Sequence, residues 1–287
     1  MTPRLIARLD IKGPDLVKGI HLEGLRALGS PRAFARHYYD AGVDELIYQD
    51  IVASLYQRNS LHGFIRATAS DAFIPLTVGG GLRSIEDIRG VLRAGADKAT
   101  LNTAAIARPG LIEEASRVFG SSTIVVAIEA IRQPDGRYLA STDCGREMSD
   151  REVIAWAREA ARLGAGEILL TSVDREGTGH GFDLELVAAV SSAVSIPVIA
   201  HGGAGNTAHI VDVLTKGTAD AVAVASMLHY SSLTTLDASA RGAVTGNQEF
   251  LHRGAQHPRF QGNTVASIKA SLTEAGIHTR PPFGVVA

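Results

Sequence analysis

Two carboxylic acids stand where apolar runs of this 287-residue chain end. Asp10 closes the run 5–10, and Glu129 closes the similar run 124–129. Two acids that face one ligand from opposite sides suit general acid–base catalysis, because one can give a proton while the other takes one. The alternative interpretation is that such acids only cap the loops that follow the strands.

Two glycine-rich turns form a second candidate site. Gly79, Gly80 and Gly81 follow the apolar run 74–78 and precede a helix-like segment; residues 196–205 repeat this order 122 positions later. Glycines there expose backbone N–H groups, and a helix N-terminus favours an anion. A plain tight turn between strand and helix explains one such stretch equally well, but the repetition favours a ligand role.

The repeat predicts two phosphate cradles, one in each half of the chain, and therefore a substrate with two phosphates. Their residues are Gly80, Gly81, Asn102 and Thr103 in the first cradle, and Gly202, Gly203, Ala225 and Ser226 in the second. Other candidates for ligand contacts at predicted strand ends are Asp50, Thr171, Gly177 and His201. For Asp50 the alternative is a loop cap, and for His201 it is a helix-capping or core histidine.

The elements that position these residues alternate along the chain. Eight near-continuous apolar runs, four per half, predict parallel strands buried on both faces. Between them, helical periodicity predicts helices over residues 31–41, 84–94, 109–119, 150–163, 183–194 and 207–216. A chain of this length with this alternation predicts an α/β fold, a (β/α)8 TIM barrel made of two homologous half-barrels at about 1–120 and 121–231. A surface insertion is expected at about 237–262 and a last helix at about 264–275.

The composition of the chain argues against several classes of function. A net charge of −2 and a pI near 6.6 give no footprint for nucleic acid or an anionic membrane. No apolar run has spanning length and no signal-peptide pattern is present, so we expect a cytoplasmic protein. The single cysteine, Cys144, excludes an internal disulfide and is expected to be an inert thiol. Histidines and acids lack metal-ligand spacing, so we expect no metal and no cofactor.

Several motifs together resemble the HisF family, the cyclase subunits of imidazole glycerol phosphate synthase. They run from about residue 4 to about 230 and include the stretches 9–13, 16–19, 24–26, 44–46, 78–84, 95–98, 167–172, 174–178 and 202–205. The resemblance implies a lyase-class cyclase of histidine biosynthesis. Such an enzyme takes ammonia from a glutaminase (HisH-like) partner and adds it to a bisphosphorylated ribulosyl aminoimidazole carboxamide nucleotide. The products are imidazole glycerol phosphate and an aminoimidazole carboxamide ribonucleotide.

The resemblance also implies roles for single residues. Asp10 matches the strand 1 catalytic aspartate, Lys18 the lysine of the first loop, and Asp97 a residue facing the glutaminase. Four charges match those that gate ammonia at the barrel bottom: Arg4, Glu45, Lys98 and Glu167. Each begins a predicted strand, where alternating charges can neutralise one another. Solvated strand ends are the competing interpretation for the four charges, and a solvated loop charge is the competing interpretation for Lys18.

Departures from the family pattern cluster at the reaction centre. Glu129 stands where the family has aspartate, and strand alternation points Arg8 into the barrel, where Glu129 or Asp10 must neutralise it. We expect an Arg8–Glu129 couple that lowers the pKa of Glu129. Gln49 and His201 are expected to face the same lumen. A paralogue that aminates another phosphorylated sugar or nucleotide, or a weakly active barrel kept as a scaffold, is therefore the alternative to the cyclase.

Overall fold

The computed structural model describes residues 2–53, 61–236, 260 and 263–281. The predicted insertion at about 237–262 lies outside the described residues, except for Phe260. In the described part, no helix is long and apolar enough to cross a bilayer.

The described chain closes into a barrel of eight parallel strands, which confirms the predicted (β/α)8 fold. In chain order, its strands and those of two hairpins are β1 (Arg4–Lys12), β2 (Asp15–Ile20), β3 (Glu23–Gly29), β4 (Glu45–Asp50), β5 (Leu76–Gly79), β6 (Lys98–Leu101), β7 (Ile124–Arg132), β8 (Tyr138–Thr142), β9 (Glu147–Glu152), β10 (Glu167–Ser172), β11 (Val198–His201) and β12 (Ala221–Val224). The barrel order is β1-β4-β5-β6-β7-β10-β11-β12, and β12 pairs with β1 to complete the ring.

Helices surround the barrel with their apolar faces inward. They are α1 (Pro31–Asp40), α2 (His62–Ala69), α3 (Ile85–Ala94), α4 (Thr103–Ala107), α5 (Gly110–Phe119), α6 (Val153–Arg162), α7 (Leu184–Ala193), α8 (Thr207–Thr215), α9 (Ser226–Ser232) and α10 (Val265–Glu274). Side-chain caps fix several starts: Ser84, Asp183 and Asn206 each accept a hydrogen bond from the backbone N–H three residues on.

Two antiparallel hairpins, absent from the sequence-based prediction, occupy equivalent places in the two halves. β2 and β3 follow the first barrel strand, and β8 and β9 follow the fifth. The predicted helix over 150–163 therefore starts later, at Val153, because 150–152 belong to β9 and Glu152 caps the helix. The symmetry of the hairpins supports two duplicated halves; their boundaries stay a prediction.

Register determines which side chains face the lumen. Parallel partners share a face, so the pairings Asp10↔Gln49 and Gln49↔Gly79 place these residues on one face, and Gly79↔Thr100 continues it. Around the far side, Thr171 pairs with both Glu129 and His201. Below this polar level lies an apolar cluster of Ile6, Ile47, Val125, Ala127, Leu169, Ile199, Ala221 and Ala223.

Candidate active site

Asp10 lies inside the barrel mouth as a doubly paired carboxylate. Its two oxygens accept hydrogen bonds from Arg8 Nε and Lys18 Nζ, each at 2.9 Å, and the residue is 2% exposed. Burial alone would raise the pKa of Asp10, but the two cations outweigh it and hold the pKa well below its ordinary range. Asp10 is therefore a permanent anion at neutral pH.

Lys18 connects the first hairpin to the rest of the mouth. Its ammonium group contacts both Asp10 and Glu176, and the other Glu176 oxygen accepts the backbone N–H of Leu22 at 3.0 Å. The backbone N–H of His21 also donates to the Glu176 carbonyl oxygen. Burial lowers the pKa of Lys18 while the two carboxylates raise it, and the balance keeps it above its ordinary value. Lys18 is thus a buried, charged group and not a solvated loop residue.

Glu129 lies across the mouth in a different environment. It is 5% exposed, and one carboxylate oxygen accepts the backbone N–H of Gly145 at 3.0 Å, from the turn between β8 and β9. Burial raises the pKa of Glu129 to about 7, although Arg8 and the Gly145 N–H act in the opposite direction. A carboxyl group with this pKa can give or take a proton at neutral pH.

The expected Arg8–Glu129 couple is wrong. Arg8 forms its ion pair with Asp10, which lies two positions along on the same face of β1, and its remaining contacts are to Thr171 and His201. The pKa of Glu129 is consequently raised and not lowered, because burial outweighs the attraction of Arg8. The two acids differ in state, one fixed as an anion and one able to titrate.

His201 is present as a neutral imidazole. Its Nδ1 lies 3.2 Å from Arg8 Nη1, and because a guanidinium only donates, Nδ1 must accept and the proton resides on Nε2. Burial lowers the pKa of His201 well below 6.5, and Arg8 and Lys18 lower it further. His201 thus offers an N–H donor beside the second glycine turn.

The first predicted cradle lines an open cavity. Gly80 and Gly81 have φ of +102° and +70°, and a Cβ on Gly80 would lie 2.2 Å from the carbonyl oxygen of Asp50. The cavity has a volume of about 260 Å³, and its lining includes Gln49, Asp50, Gly80, Gly81, Asn102, Thr103, Glu129 and Asp143. The structure thereby places Glu129, one of the two predicted catalytic acids, and the first glycine turn around the same cavity.

The second predicted cradle is also assembled, but its space is small. Gly177, His201, Gly202, Gly203, Ala225 and Ser226 line one cavity of about 10 Å³. That volume holds about one water molecule. Gly203 has φ of +108°, and a Cβ there would lie 2.1 Å from the Gly181 carbonyl oxygen.

The four predicted gate charges meet at the opposite end of the barrel. Arg4 contacts Glu45 and Glu167 at 2.9 Å each, and Lys98 contacts the same two carboxylates at 3.4 and 3.1 Å. They form an ion-pair ring beneath the apolar cluster of the lumen. Asp97 is exposed next to this end, and its carboxylate accepts the backbone N–H of Leu76 at 2.8 Å.

Sequence reasoning missed the second hairpin as part of the site. Asn102 Nδ2 donates to the Ser141 carbonyl oxygen, and Thr103 Oγ1 accepts the Asp143 N–H. Thr100 was not singled out either, since a threonine inside a strand carries no functional signal. Among the described residues, no group of three or more His, Cys, Asp or Glu side chains is arranged to hold a metal ion.

The chain matches a known class of proteins over most of its length. A family profile described as "Histidine biosynthesis protein" matches residues 4–234, which covers the whole barrel. The chain is therefore one of the barrel proteins of histidine biosynthesis.

Three individual relatives show to which family of these barrel proteins the chain belongs. Over 202 residues the chain is 59% identical to the imidazole glycerol phosphate synthase subunit HisF of Legionella pneumophila, covering 70% of this chain and 95% of the relative. Over 280 residues it is 44% identical to HisF of Myxococcus xanthus (strain DK1622), with 98% of both chains covered. HisF of Alkaliphilus metalliredigens (strain QYMF) is 44% identical over 234 residues, 82% of this chain and 93% of that protein. The chain belongs to the HisF family.

Proposed function

We propose that this chain is a cyclase subunit of imidazole glycerol phosphate synthase and acts in histidine biosynthesis. Its substrate would be the bisphosphorylated ribulosyl aminoimidazole carboxamide nucleotide, with ammonia as the second reactant. Family membership supports this reaction. The observation that carries the assignment of residues is the contrast between two acids in one mouth, a permanently ionised Asp10 and a Glu129 whose pKa is about 7.

The contrast divides the chemistry between the acids. Asp10 stays an anion and stabilises the positive charge that develops on the nitrogen of ammonia as it adds to the ribulosyl carbonyl carbon. Glu129, when protonated, gives its proton to the carbonyl oxygen as that oxygen becomes a hydroxyl group. Its carboxylate then takes a proton from the added nitrogen, so that atoms and charges balance. The neutral His201 donates a hydrogen bond and does not exchange protons.

Anion-binding groups would hold the two ends of the substrate. The first cradle offers Gly80, Gly81, Asn102 and Thr103 around an open cavity, with Asp50 beside the turn. The second offers Gly177, Gly202, Gly203, Ala225 and Ser226, together with His201 and its neighbour Thr171. Because the second space is small while Lys18 is bound to Asp10 and Glu176, the substrate would enter as the first hairpin moves aside.

A glutaminase would supply the ammonia. The relatives are named as subunits, which supports a partner chain, and a HisH-like glutaminase is the partner that would generate ammonia for this reaction. The ion-pair ring of Arg4, Glu45, Lys98 and Glu167 would admit ammonia at the barrel bottom, beside Asp97. We infer that the protein carries out this role in the cytoplasm.

A second candidate function is a paralogue that aminates another phosphorylated sugar or nucleotide. The observation that favours it is the cluster of Arg8, Thr171 and His201 inside the mouth, which places a guanidinium beside Asp10.

Turnover of the bisphosphorylated nucleotide with ammonium chloride tests the first proposal without the partner. We expect formation of both products, and we expect this chain to restore growth of a histidine auxotroph that lacks the cyclase. Glu129→Asp and Glu129→Gln serve as a matched pair: the first should keep part of the activity and the second should lose it. Binding of the nucleotide with no turnover by either the wild type or Glu129→Asp would refute the assignment and favour a weakly active barrel kept as a scaffold.

A further inference from the structure

One wall of the barrel lumen carries buried oxygen atoms that lack hydrogen-bond partners. Thr100 is 3% exposed and its Oγ1 has no partner among the described residues; the same is true of Gln49 Oε1. A buried polar group left without a hydrogen bond destabilises a protein, because it has lost its water partners and gained none. Two such oxygens side by side therefore indicate a ligand that enters the lumen and forms hydrogen bonds with them.

Gly79 brings these two side chains together. It lies between Gln49 and Thr100 in the strand register, on the same lumen face. A Cβ on Gly79 would lie 2.4 Å from Gln49 Oε1 and 2.9 Å from Thr100 Cβ. The Gln49 carboxamide thus extends across the space that a side chain at position 79 would fill, toward Thr100.

The residues that carry these oxygens also line the cavity that contains Glu129. Gln49, Thr100, Asn102 and Glu129 all line the 260 Å³ space, and Asn102 Oδ1 also has no partner among the described residues. Arg8 lies on β1, next to the strand that carries Gln49, and its guanidinium is held by Asp10, Thr171 and His201.

The position of these oxygens along the barrel suggests their ligand. Above the ion-pair ring, where Glu167 Oε2 also lacks a partner among the described residues, the lumen is lined mainly by apolar side chains such as Ile47, with Thr77 beside it. Gln49 and Thr100 form the next level on their side of the barrel. A small molecule rising from the ring would meet buried oxygen acceptors without partners again at that level.

We propose that Gln49 Oε1, Thr100 Oγ1 and the Glu129 carboxylate form a docking site for the reacting nitrogen, as ammonia or ammonium ion. The inference rests on the proposed use of ammonia. Carboxamide and carboxylate oxygens accept hydrogen bonds, a hydroxyl group can accept as well, and ammonium is a small species that only donates. The site would hold the nitrogen beside Glu129 until the nucleotide is in place, and it assigns a role to Gln49 and Thr100.

Two near-isosteric variants test the site in the ammonium-driven reaction. Gln49→Leu and Thr100→Val each remove one acceptor, and we expect each to raise the KM for ammonium about tenfold, the effect of losing one hydrogen bond to a charged ligand. The KM for the nucleotide should change less than twofold. Ser191→Ala is the control, because Ser191 also carries a buried hydroxyl with no partner in the described part of the chain but lies in α7, outside the lumen. Unchanged ammonium KM values in both variants would overturn the proposal.

A second measurement needs no turnover. The titration of Glu129, followed by carbon-13 NMR of its carboxyl group, is compared in ammonium chloride and in tetramethylammonium chloride at equal ionic strength. Ammonium bound beside the ionised carboxylate lowers its apparent pKa, by about one pH unit at ten times the dissociation constant. Arg8, Asp10 and Asp143 also act on Glu129, but equally in both salts.

The results separate the two proposals. An ammonium-specific shift in the wild type that disappears in Gln49→Leu and in Thr100→Val supports the site, even if the bisphosphorylated nucleotide is not turned over. Turnover of the nucleotide without any ammonium-specific shift supports the proposed function and overturns the docking site. A shift that persists in both variants means that another group binds the ion, which also overturns it.

Discussion

Replacing Glu129 by glutamine should change how the stability of this protein depends on pH. In the folded protein burial raises the pKa of Glu129 from 4.5 to about 7, whereas the unfolded chain keeps the ordinary value. Between these two values the folded form holds a proton that the unfolded form has lost. Stability therefore falls as pH rises through this window, since the folded carboxyl group must ionise in a buried place.

The size of this stability change follows from the interval between the pKa values of Glu129 in the unfolded and folded states. At about 1.4 kcal/mol per pH unit, the interval from 4.5 to about 7 corresponds to about 3 kcal/mol. Most of this loss falls between pH 5 and pH 8. Glutamine cannot ionise, and its amide oxygen can still accept the Gly145 N–H, so the variant should lack the loss. From pH 5 to pH 8 the free energy of unfolding of the variant should therefore rise by about 2–3 kcal/mol relative to that of the wild type.

Urea unfolding of both proteins at pH 5 and pH 8 measures this difference. The buried His201 and His229 also contribute to pH dependence, but both are present in each protein and cancel in the comparison. If the two proteins change in stability by the same amount, to within about 1 kcal/mol, then Glu129 ionises at its ordinary pKa and the division of roles between the acids is wrong.

Three further predictions concern the same surroundings. Arg8→Met should lose about 3–5 kcal/mol in urea unfolding because it leaves Asp10 with one partner, and adding Asp10→Asn should recover part of the loss. Gly80→Ala should lose at least about 2 kcal/mol and weaken inorganic phosphate binding, measured by calorimetry, because its Cβ would meet a backbone oxygen; Gly63→Ala, with open space in α2, should not destabilise. Cys144 should react with a disulfide reagent at least about 100-fold more slowly in the folded than in the urea-unfolded protein, because burial raises the pKa of its thiol and Sγ donates to the Ile51 carbonyl oxygen.

The barrel itself was predictable from the sequence, but the two hairpins were not. Strands buried on both faces give continuous apolar runs, and these runs recur at a nearly constant spacing. β9, with the sequence Glu-Met-Ser-Asp-Arg-Glu, has no such pattern and is extended only because it pairs with β8. The same missing signal placed the start of α6 three residues too early.

At the site, residue identities were predictable and pairings were not. Alternation along β1 placed both Arg8 and Asp10 in the lumen, but it does not say which of two acids a guanidinium will contact. In the structure the guanidinium pairs with Asp10, while Glu129 accepts the Gly145 N–H from the turn after β8. The raised pKa of Glu129 comes from burial, which strand alternation alone does not show.

The space beside Gly79 constrains how this chain can change. A Cβ at position 79 would lie 2.4 Å from Gln49 Oε1 and 2.9 Å from Thr100 Cβ. The end of the glutamine side chain can rotate away, but the Cβ of Thr100 is fixed to its strand. Descendants of this chain should therefore keep the glycine whichever residue stands at position 49, while position 49 itself is free to vary.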